Sequence, residues 1–490
     1  MHSEEQNRVL LSDPSTGGVY VIATRIATGN VKSDLLITKT DLNGNHLWQE
    51  VFTSVGDYNE IPSSAVVDHQ GNIIITGEQF NASNFSEVLV VKYSPSGTLQ
   101  WSDTIDGSGH RYDKGFSVCV DDSDNIYVSS YIFTNTFCGG LTKYSPSGSR
   151  IFNIVIPTIQ QASDVDYKNG YLYLSAMTGT TGFPYHTALY KFTSDGNYIS
   201  FYLINNSYDN LIIDKVVTDS LIYLLEGESS LPFTWPSGTY GITCIDTALN
   251  YRWSTVQSTL FNLSPSKINL VGNSLYVAGT EYFDTLYSTC GVDVRCFAAA
   301  DGQLLHQTFW QGSSDYVTCY DQAVDSNGTV SIASLSRDSA GQNYSYQYLR
   351  FDSTLVMQQL LVLPDSMVTS NIFLSQYDNQ NVFYSAKAMD SSSVNNDLVL
   401  YRLSNNSVII SDPWLGGPFY FPNPASHEIS FYYDTSTYKT WSLITADGKI
   451  AVPITIFPPD KILHFNVSSG VYFLQLNSSN QTKSVRVVVK

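Results

Sequence analysis

The feature that most constrains the fold of this chain is an internal repeat that runs through residues 7–411. A turn rich in Asp, Gly or Asn is followed by a short apolar strand, often with tyrosine at its centre, and this pattern occurs eight times. The eight central residues are Tyr20, Ile74, Tyr127, Tyr173, Tyr223, Tyr276, Ser331 and Phe383. They are 54, 53, 46, 50, 53, 55 and 52 residues apart, a mean period of roughly 52. A nearly constant period of this length indicates one structural unit that is copied along the chain.

A second motif alternates with the first. It is a strand that ends in a basic residue, followed by a four-residue turn, a glycine and another apolar strand. Lys39–Gly44, Lys92–Gly97 and Lys143–Gly148 show it most clearly. In the two Ser-Pro-Ser-Gly turns, Gly97 and Gly148 are expected at positive φ, where a β-carbon would be costly.

Each period contains four short strands and shows no helical periodicity. A repeated unit of four strands is typical of a β-propeller blade, because such a sheet buries both of its faces only by packing against neighbouring blades. We predict an all-β chain in which residues 7–411 form a β-propeller of about eight four-stranded blades, with seven blades as the alternative. Residues 8–11 supply the first blade with its own inner strand, so ring closure is expected to rest on packing. The repeats, clearest in residues 66–101, resemble the SBBP-type propeller repeats of secreted bacterial proteins.

The last 70 residues contain four separated motifs outside the repeat. These motifs are Phe421–Ala425, Ala446–Lys449, Ser469–Phe473 and Ser484–Lys490. Their order and spacing resemble the type A C-terminal sorting domain of the type IX secretion system, the Por system of Bacteroidota. The resemblance implies a small immunoglobulin-like β-sandwich that the secretion machinery recognises. It also implies that the protein is secreted or located on the outer cell surface.

The predicted domains are a β-propeller over residues 7–411, a linker over 412–417 and the C-terminal sorting domain over 418–490. Residues 1–6 have neither the basic start nor the apolar run of a signal peptide. Because members of the sorting family first cross the inner membrane with such a signal, we expect that this chain has been trimmed to a mature form. A misassigned start and a vestigial tail are the open alternatives.

Charge and composition exclude several classes of partner. The chain has 25 basic and 44 acidic residues, a net charge of −19, and no basic cluster, so nucleic-acid binding is not expected. No stretch approaches the ~18 apolar residues of a transmembrane helix. No cofactor or metal site is predicted, since Asp121–Asn125 resembles a calcium loop but lacks its spaced ligands. Cys290 with Cys296, or Cys119 with Cys138, could form disulfides, and buried thiols are the open alternative.

Acidic and aromatic residues stand side by side in connections that precede the first strand of a blade. The candidate ligand-binding residues are Asp57, Tyr58, Tyr112, Asp113, Asp315 and Tyr316, together with Trp235 in the longest aromatic loop. In a propeller such connections converge near one mouth of the central channel. Aromatic rings beside carboxylates suit sugar or peptide recognition, although the same residues could simply end turns and pack between blades.

From these patterns we predict an exported β-propeller that acts as a binding or adhesion module for glycan or protein ligands. Two other classes remain open. One is an extracellular glycan-active or peptide-active enzyme whose acids lie at the channel mouth, since paired carboxylates can cleave glycosidic bonds when suitably separated. The other is a structural surface component. No residue is assigned a catalytic role, and the secretion machinery is the one partner that the C-terminal motifs imply.

Overall fold

The computed structural model of the chain describes most of the repeat region and parts of the C-terminal segment. The described residues are 4–13, 17–26, 32–42, 46–56, 58–178, 186–204, 210–228, 239–258, 262–283, 289–312, 316–337, 344–362, 372–379, 381–389, 396–404, 408–412, 417–421, 428–430, 440–445, 449–456, 462–464, 467, 470–477 and 482–489. Every regular element among them is a β-strand, so they contain no helix that could span a membrane.

The first four blades are four-stranded sheets. Blade 1 comprises β1 (Glu4–Asp13), β2 (Gly18–Ile26), β3 (Ser33–Asp41) and β4 (His46–Phe52). Blade 2 comprises β5 (Glu60–Val67), β6 (Ile73–Phe80), β7 (Ser86–Tyr93) and β8 (Leu99–Ile105). Blade 3 comprises β9 (Lys114–Val120), β10 (Ile126–Phe133), β11 (Phe137–Tyr144) and β12 (Arg150–Ile156). Blade 4 comprises β13 (Ile159–Lys168), β14 (Tyr171–Thr178), β15 (His186–Thr193) and β16 (Tyr198–Leu203).

Four further units of the same kind follow. Blade 5 comprises β17 (Asn210–Val217), β18 (Leu221–Glu228), β19 (Thr239–Asp246) and β20 (Tyr251–Ser258). Blade 6 comprises β21 (Asn262–Val271), β22 (Ser274–Tyr282), β23 (Cys290–Ala298) and β24 (Leu304–Trp310). Blade 7 comprises β25 (Tyr316–Val324), β26 (Val330–Arg337), β27 (Tyr344–Phe351) and β28 (Met357–Val362). Blade 8 comprises β29 (Phe373–Gln376), β30 (Asn381–Met389), β31 (Asn396–Ser404) and β32 (Val408–Asp412).

Each blade is an antiparallel meander in which consecutive strands are neighbours. The first strands of most neighbouring blades contact one another, including those of blades 8 and 1, and β17 of blade 5 contacts β14 and β15 of blade 4, so the first strands form the inner wall of a closed ring. The all-β propeller prediction is therefore confirmed, with eight blades. A single parallel bridge, Cys290 to Tyr316, additionally joins the sheets of blades 6 and 7.

Ring closure occurs by packing between complete blades. Strand β1 pairs with β2 of its own blade, and its Ser12 contacts blade 8. The backbone N–H of Ser12 donates to Ser375 Oγ at 2.9 Å, and its hydroxyl donates to the Gln376 carbonyl at 2.9 Å. Buried apolar residues of both blades, including Leu10 and Phe383, form a shared core at this junction. A shared sheet is thus not needed to close the ring.

Strand direction divides the ring into two faces. We call the face at which the first strand of each blade begins the upper face, and the opposite one the lower face. Because the four strands alternate in direction, the upper face carries the connection between the second and third strands and the connection to the next blade. The lower face carries the turns between the first and second strands and between the third and fourth.

The repeated basic residue and glycine of the sequence meet on the lower face. Lys92 and Asp68 form a buried ion pair at 2.8 Å, with side-chain exposures of 2% and 0%. Lys92 also donates to the carbonyl of Pro146, in the third-to-fourth turn of the next blade, at 3.2 Å. In that turn Gly148 has φ +88° and lies beneath Trp101 of blade 2, while Gly97 has φ +84°. The expectation of positive φ is confirmed, and the turns also hold adjacent blades together.

The C-terminal segment adds further strands. Strand β33 (Gly417–Phe421) pairs antiparallel with β32 as a fifth strand of the blade 8 sheet. Strands β34 (Glu428–Ser430) and β37 (Ile462–His464) form one pair. A four-stranded sheet has the order β36 (Ile450–Ile456), β35 (Thr440–Thr445), β38 (Gly470–Asn477), β39 (Thr482–Val489). Residues 413–416 of the predicted linker lie outside the described residues, and the immunoglobulin-like sandwich stays a prediction.

The six cysteines all lie in the described part of the chain and form no disulfide bond with one another. Cys290 and Cys296 stand on the same strand, β23, which places them roughly 20 Å apart at ~3.3 Å per residue, beyond the reach of a disulfide. Of the two alternatives that the sequence leaves open, the structure supports free thiols, of which four are buried and Cys119 and Cys319 are partly buried.

Candidate functional site

The predicted ligand-binding residues that the structure describes lie on the upper face. Tyr58 precedes β5, Tyr112 and Asp113 directly precede β9, and Tyr316 is the first residue of β25. The other three predicted residues, Asp57, Trp235 and Asp315, lie outside the described residues.

Two of the described tyrosines each face a basic residue of the same upper face. Lys32 Nζ lies 4.9 Å from the centroid of the Tyr58 ring, and the guanidinium carbon of Arg337 lies 4.1 Å from that of Tyr316. A cation over an aromatic face is attracted by the ring quadrupole. Both rings are therefore already engaged by residues of the chain itself.

Asp113 is fully buried, and it shapes the loop that carries Tyr112. One carboxylate oxygen accepts the backbone N–H of Gly107 at 2.5 Å, and the other accepts that of Phe133 at 2.5 Å. Burial raises the pKa of Asp113, and these two backbone bonds oppose the rise. With both oxygens engaged by backbone, Asp113 positions the loop against the end of β10.

Six rings lie on the upper face at the boundary of blades 2 and 3, in two contacting groups: Tyr112 with Phe85, and four rings around Tyr131 and Phe137. We call this set the upper-face aromatic cluster; it comprises Phe85, Tyr112, Phe116, Tyr131, Phe133 and Phe137. Tyr112 packs edge-to-face on Phe85, with ring centroids 5.3 Å apart. Phe137 does the same with Tyr131 at 4.9 Å and with Phe133 at 5.1 Å. Edge-to-face packing is a favoured aromatic geometry, so the rings support one another.

The cluster extends to the inner wall of the ring. Phe116 stacks on Tyr131, with centroids 6.2 Å apart. Phe116 is the residue of β9 that the pairing register with β10 skips, and such β-bulges re-aim side chains. The first strand of every blade from 1 to 7 contains such a bulge, at Arg8, Ser63, Phe116, Ser163, Ile213, Ser266 and Tyr320.

The loop that carries Tyr112 lies tightly against the β10–β11 connection. A β-carbon on Gly107 would come within 2.2 Å of the Phe133 carbonyl oxygen, and one on Gly109 within 2.1 Å of that of Thr134. The N–H of Gly109 also donates to the Phe133 carbonyl at 3.1 Å. The backbone therefore holds the cluster in place, while Tyr112 and Phe137 remain 44% and 47% exposed.

Polar and charged groups surround the exposed rings. The guanidinium carbon of Arg111 lies 5.5 Å from the Phe133 centroid, and Lys114 pairs with Glu78 at 3.3 Å. His110 contacts the Asp106 carboxylate through its ring nitrogen. An apolar centre with polar groups at its edge is the usual composition of a recognition surface.

Carboxylates also lie on the first strands of blades 4, 5 and 7, but they are engaged between blades. Lys215 Nζ contacts both Asp164 and Asp166, the latter at 2.8 Å. Burial opposes the charge of Lys215, but the two carboxylates outweigh it and raise its pKa. These groups thus join blade 4 to blade 5.

The next carboxylates along the wall make the same kind of contact. Burial raises the pKa of Asp214 to about 6, although its oxygens accept the N–H groups of Ile268, at 2.9 Å, and Lys215, at 2.9 Å. Asp321 pairs with Lys267 at 3.2 Å and accepts the N–H of Leu374 from blade 8 at 2.8 Å. In the described ranges no group of three or more His, Cys, Asp or Glu side chains could hold a metal ion.

The suspected calcium loop is a turn. Asp121 accepts the backbone N–H groups of Ser123 and Asn125, each at 2.9 Å, and the hydroxyl of Tyr127 at 2.9 Å. Its carboxylate therefore closes the first-to-second turn of blade 3. Hydrogen bonds of this kind are what Asp supplies in such turns.

Sequence reasoning identified Tyr112 but missed the other five rings of the upper-face aromatic cluster. One signal was present: Tyr131, Phe133 and Phe137 flank the polar residues Thr134-Asn135-Thr136 at the predicted upper end of blade 3. Phe85 and Phe116 belong to different blades, and only the packing of blade 2 on blade 3 brings them to the same place.

The C-terminal segment matches a known family, and other comparisons are weaker. Residues 420–490 match the secretion system C-terminal sorting domain. An uncharacterized WD repeat-containing protein of Acanthamoeba polyphaga mimivirus is 25% identical over 150 residues, which represent 25% of this chain. The match covers only 10% of that protein, so the activity of the whole relative says nothing about this chain.

Solved structures are similar to this chain only at low sequence identity. The WD40 domain of SCAP from fission yeast is 9% identical, with a TM-score of 0.46, 83% of this chain covered and 96% of that one. A protein of unknown function from Dyadobacter fermentans is 8% identical, with a TM-score of 0.37 and coverages of 82% and 94%. Similarity at this level transfers neither a ligand nor an activity.

The sorting motifs noted in the sequence coincide with the matched segment, and the strands β35, β36, β38 and β39 form its sheet. Domains of this family mark proteins for export by the type IX secretion system. The chain is a β-propeller protein with a C-terminal sorting domain of the secretion system family, and it is secreted or displayed on the cell surface.

Proposed function

We propose that the propeller is a binding or adhesion module for glycan or protein ligands and that the upper-face aromatic cluster is its contact surface. One observation carries this proposal: Tyr112 and Phe137 are 44% and 47% exposed although the backbone around them is tightly packed. Large exposed rings on a rigid support contribute contact area without much loss of conformational entropy on binding.

The arrangement favours binding over catalysis. The carboxylates that could serve an enzyme are engaged: Asp113 by two backbone N–H groups, and Asp164 and Asp166 by Lys215. Catalytic acid–base pairs need carboxyl groups that can reach a substrate. Of the remaining predicted positions, Asp57, Trp235 and Asp315 lie outside the described residues and stay predictions.

The proposal is tested by screening the purified chain against glycan and peptide panels, with binding and product formation measured together. The double variant Tyr112→Ala/Phe137→Ala should lose affinity at least about tenfold for any ligand found, because central aromatic contacts dominate binding energies. The matched control is Tyr198→Ala/Phe201→Ala, which removes rings of 55% and 49% exposure from the outer strand of blade 4. It should bind like the unaltered chain.

Three outcomes would contradict the proposal. Equal affinity of both double variants and the unaltered chain would mean that the ligand binds elsewhere. Product formation would favour the extracellular enzyme. Binding of no panel member would favour a structural surface component.

A further inference from the structure

The residue at the end of the third strand of a blade is basic in six of the eight repeats, and in blades 2 to 4 it is engaged by the next blade. Lys92 donates to the carbonyl of Pro146 at 3.2 Å, Lys143 to that of Ser194 at 2.9 Å, and Lys191 to that of Thr247 at 2.5 Å. In these blades the lysine side chain donates a hydrogen bond to a backbone carbonyl of a turn in the next blade and so holds the two sheets together.

Arg350 occupies the same position in blade 7 but makes a different set of contacts. It stands opposite Ser331 in the register of β26 and β27, as Lys92 stands opposite Ile74 in blade 2. Within the described part of the chain its half-buried guanidinium makes no hydrogen bond and no ion pair. Instead it lines a lower-face pocket of about 510 Å³.

The Asp352 carboxylate, which lines this pocket, already accepts hydrogen bonds from its own turn. The other lining residues are Thr329, Asp352, Gln358 and Gln359. One oxygen of Asp352 accepts the N–H groups of Thr354 and Val356, each at 3.0 Å, and the other accepts the carboxamide of Gln358 at 2.7 Å. Hydrogen bonds lower the pKa of Asp352, and the bond from the Thr354 hydroxyl contributes most. This carboxylate closes its own turn and forms no ion pair with Arg350.

The remaining polar groups complement Arg350. Gln359 is its neighbour across β27 and β28, and the Gln359 carboxamide and the Thr329 hydroxyl make no side-chain hydrogen bond in the described ranges. A guanidinium binds a carboxylate through two parallel hydrogen bonds, and carboxamides and hydroxyls bind sugar hydroxyl groups. The volume of about 510 Å³ accommodates a small ligand.

We propose that this lower-face pocket binds an acidic saccharide through a hexuronic acid residue, with its carboxylate on Arg350 and its hydroxyl groups on Gln359 and Thr329. A single planar carboxylate fits better than a phosphate group, because the Asp352 carboxylate beside the pocket repels a doubly charged anion. The pocket lies on the face opposite the upper-face aromatic cluster and does not depend on it.

Isothermal titration of the full chain with glucuronic acid, glucose and inorganic phosphate tests the proposal. Glucuronic acid should bind, and glucose and phosphate should bind at least about tenfold more weakly. Arg350→Gln should weaken glucuronic acid binding by at least about tenfold, since it removes the charged partner. The matched control is Arg252→Gln on the outer strand of blade 5, where the arginine is exposed and pairs with Asp246 at 2.8 Å; it should leave binding unchanged.

A second variant covers the case in which Arg350→Gln impairs folding. Gln359→Ala should keep the melting temperature and still weaken glucuronic acid binding. The proposal is overturned if glucose binds as well as glucuronic acid, if phosphate binds better, or if Gln359→Ala and a folded Arg350→Gln both bind like the unaltered chain. Because Tyr112→Ala/Phe137→Ala should leave this binding intact, failure here and failure of the upper-face proposal are distinguishable.

Discussion

The lower and upper faces of blades 2 and 3 are built from the same strands but differ in regularity. On the lower face the turns at Ser94–Gly97 and Ser145–Gly148 are near copies, with the same hydrogen bond from the residue after glycine to the first serine hydroxyl, at 3.0 and 3.1 Å. On the upper face, Tyr112 lies in the connection from β8 to β9, whereas Phe137 is the first residue of β11, after the shorter connection from β10. In these two blades, the repeated turns hold the ring together, and the irregular connections carry the surface that we propose as the ligand-binding site.

The two faces also treat polar groups differently. Lower-face charges such as Lys92 and Asp68 are buried and paired, whereas the upper-face charges Arg111 and Asp106 are exposed around aromatic rings. Removing either partner of a buried ion pair lowers the free energy of unfolding strongly, whereas removing an exposed ring changes it little. In blades 2 and 3 we therefore expect substitutions of the paired lower-face charges to change stability, and substitutions of the exposed upper-face rings to change binding.

The largest effect is expected at the buried ion pair. Lys92→Met leaves the Asp68 carboxylate buried without its cation and should lower the free energy of unfolding by about 3–5 kcal/mol. Thermal melts would measure the loss. Lys168→Met is the matched control, because Lys168 pairs with the exposed Asp219 at 3.0 Å and such pairs contribute about 0–1 kcal/mol. Equal losses in both variants would show that burial of the pair is not what matters.

The next effect separates backbone strain from inter-blade packing. Gly148 and Gly170 have nearly the same φ, +88° and +83°, but a β-carbon on Gly148 would lie 2.6 Å from the Trp101 ring, and one on Gly170 would have no atom within 4 Å. Gly148→Ala should cost about 2–4 kcal/mol and Gly170→Ala about 1 kcal/mol. Chemical denaturation of both variants checks this. Identical losses would mean that only the backbone conformation counts.

A smaller loss of stability is expected at Asp113, the buried residue that holds the upper-face loop in place. Asp113→Ala leaves the N–H groups of Gly107 and Phe133 unsatisfied and should cost about 1–3 kcal/mol. Unlike the lower-face variants it should also weaken ligand binding, because it releases the loop that carries Tyr112. Asp106→Ala, an exposed acid in the same loop, is the control and should change stability by less than about 0.5 kcal/mol. Retained binding with lowered stability would assign Asp113 a purely structural role.

How much of the fold and of the candidate site could be predicted depends on how far apart in the sequence the interacting residues lie. The period, the four strands per blade and the positive φ of Gly97 and Gly148 follow from local pattern and turn chemistry. The contact of Gly148 with Trp101 joins residues 47 positions apart, and no local pattern reports it. Likewise Asp113 could be identified as a candidate, but its burial follows from the loop folding back on β10.

The sequence by itself determined the repeat, the all-β class and the sorting domain, because strand alternation, turn residues and short motifs are local properties of the chain. Only the tertiary structure decided which side chains meet between blades: the six rings of the upper-face aromatic cluster, and the lower-face pocket where Arg350 makes no hydrogen bond within the described part of the chain. The physical reason is that each blade buries its faces against neighbours about 50 residues away, so the rotation of one sheet on the next selects the contacts.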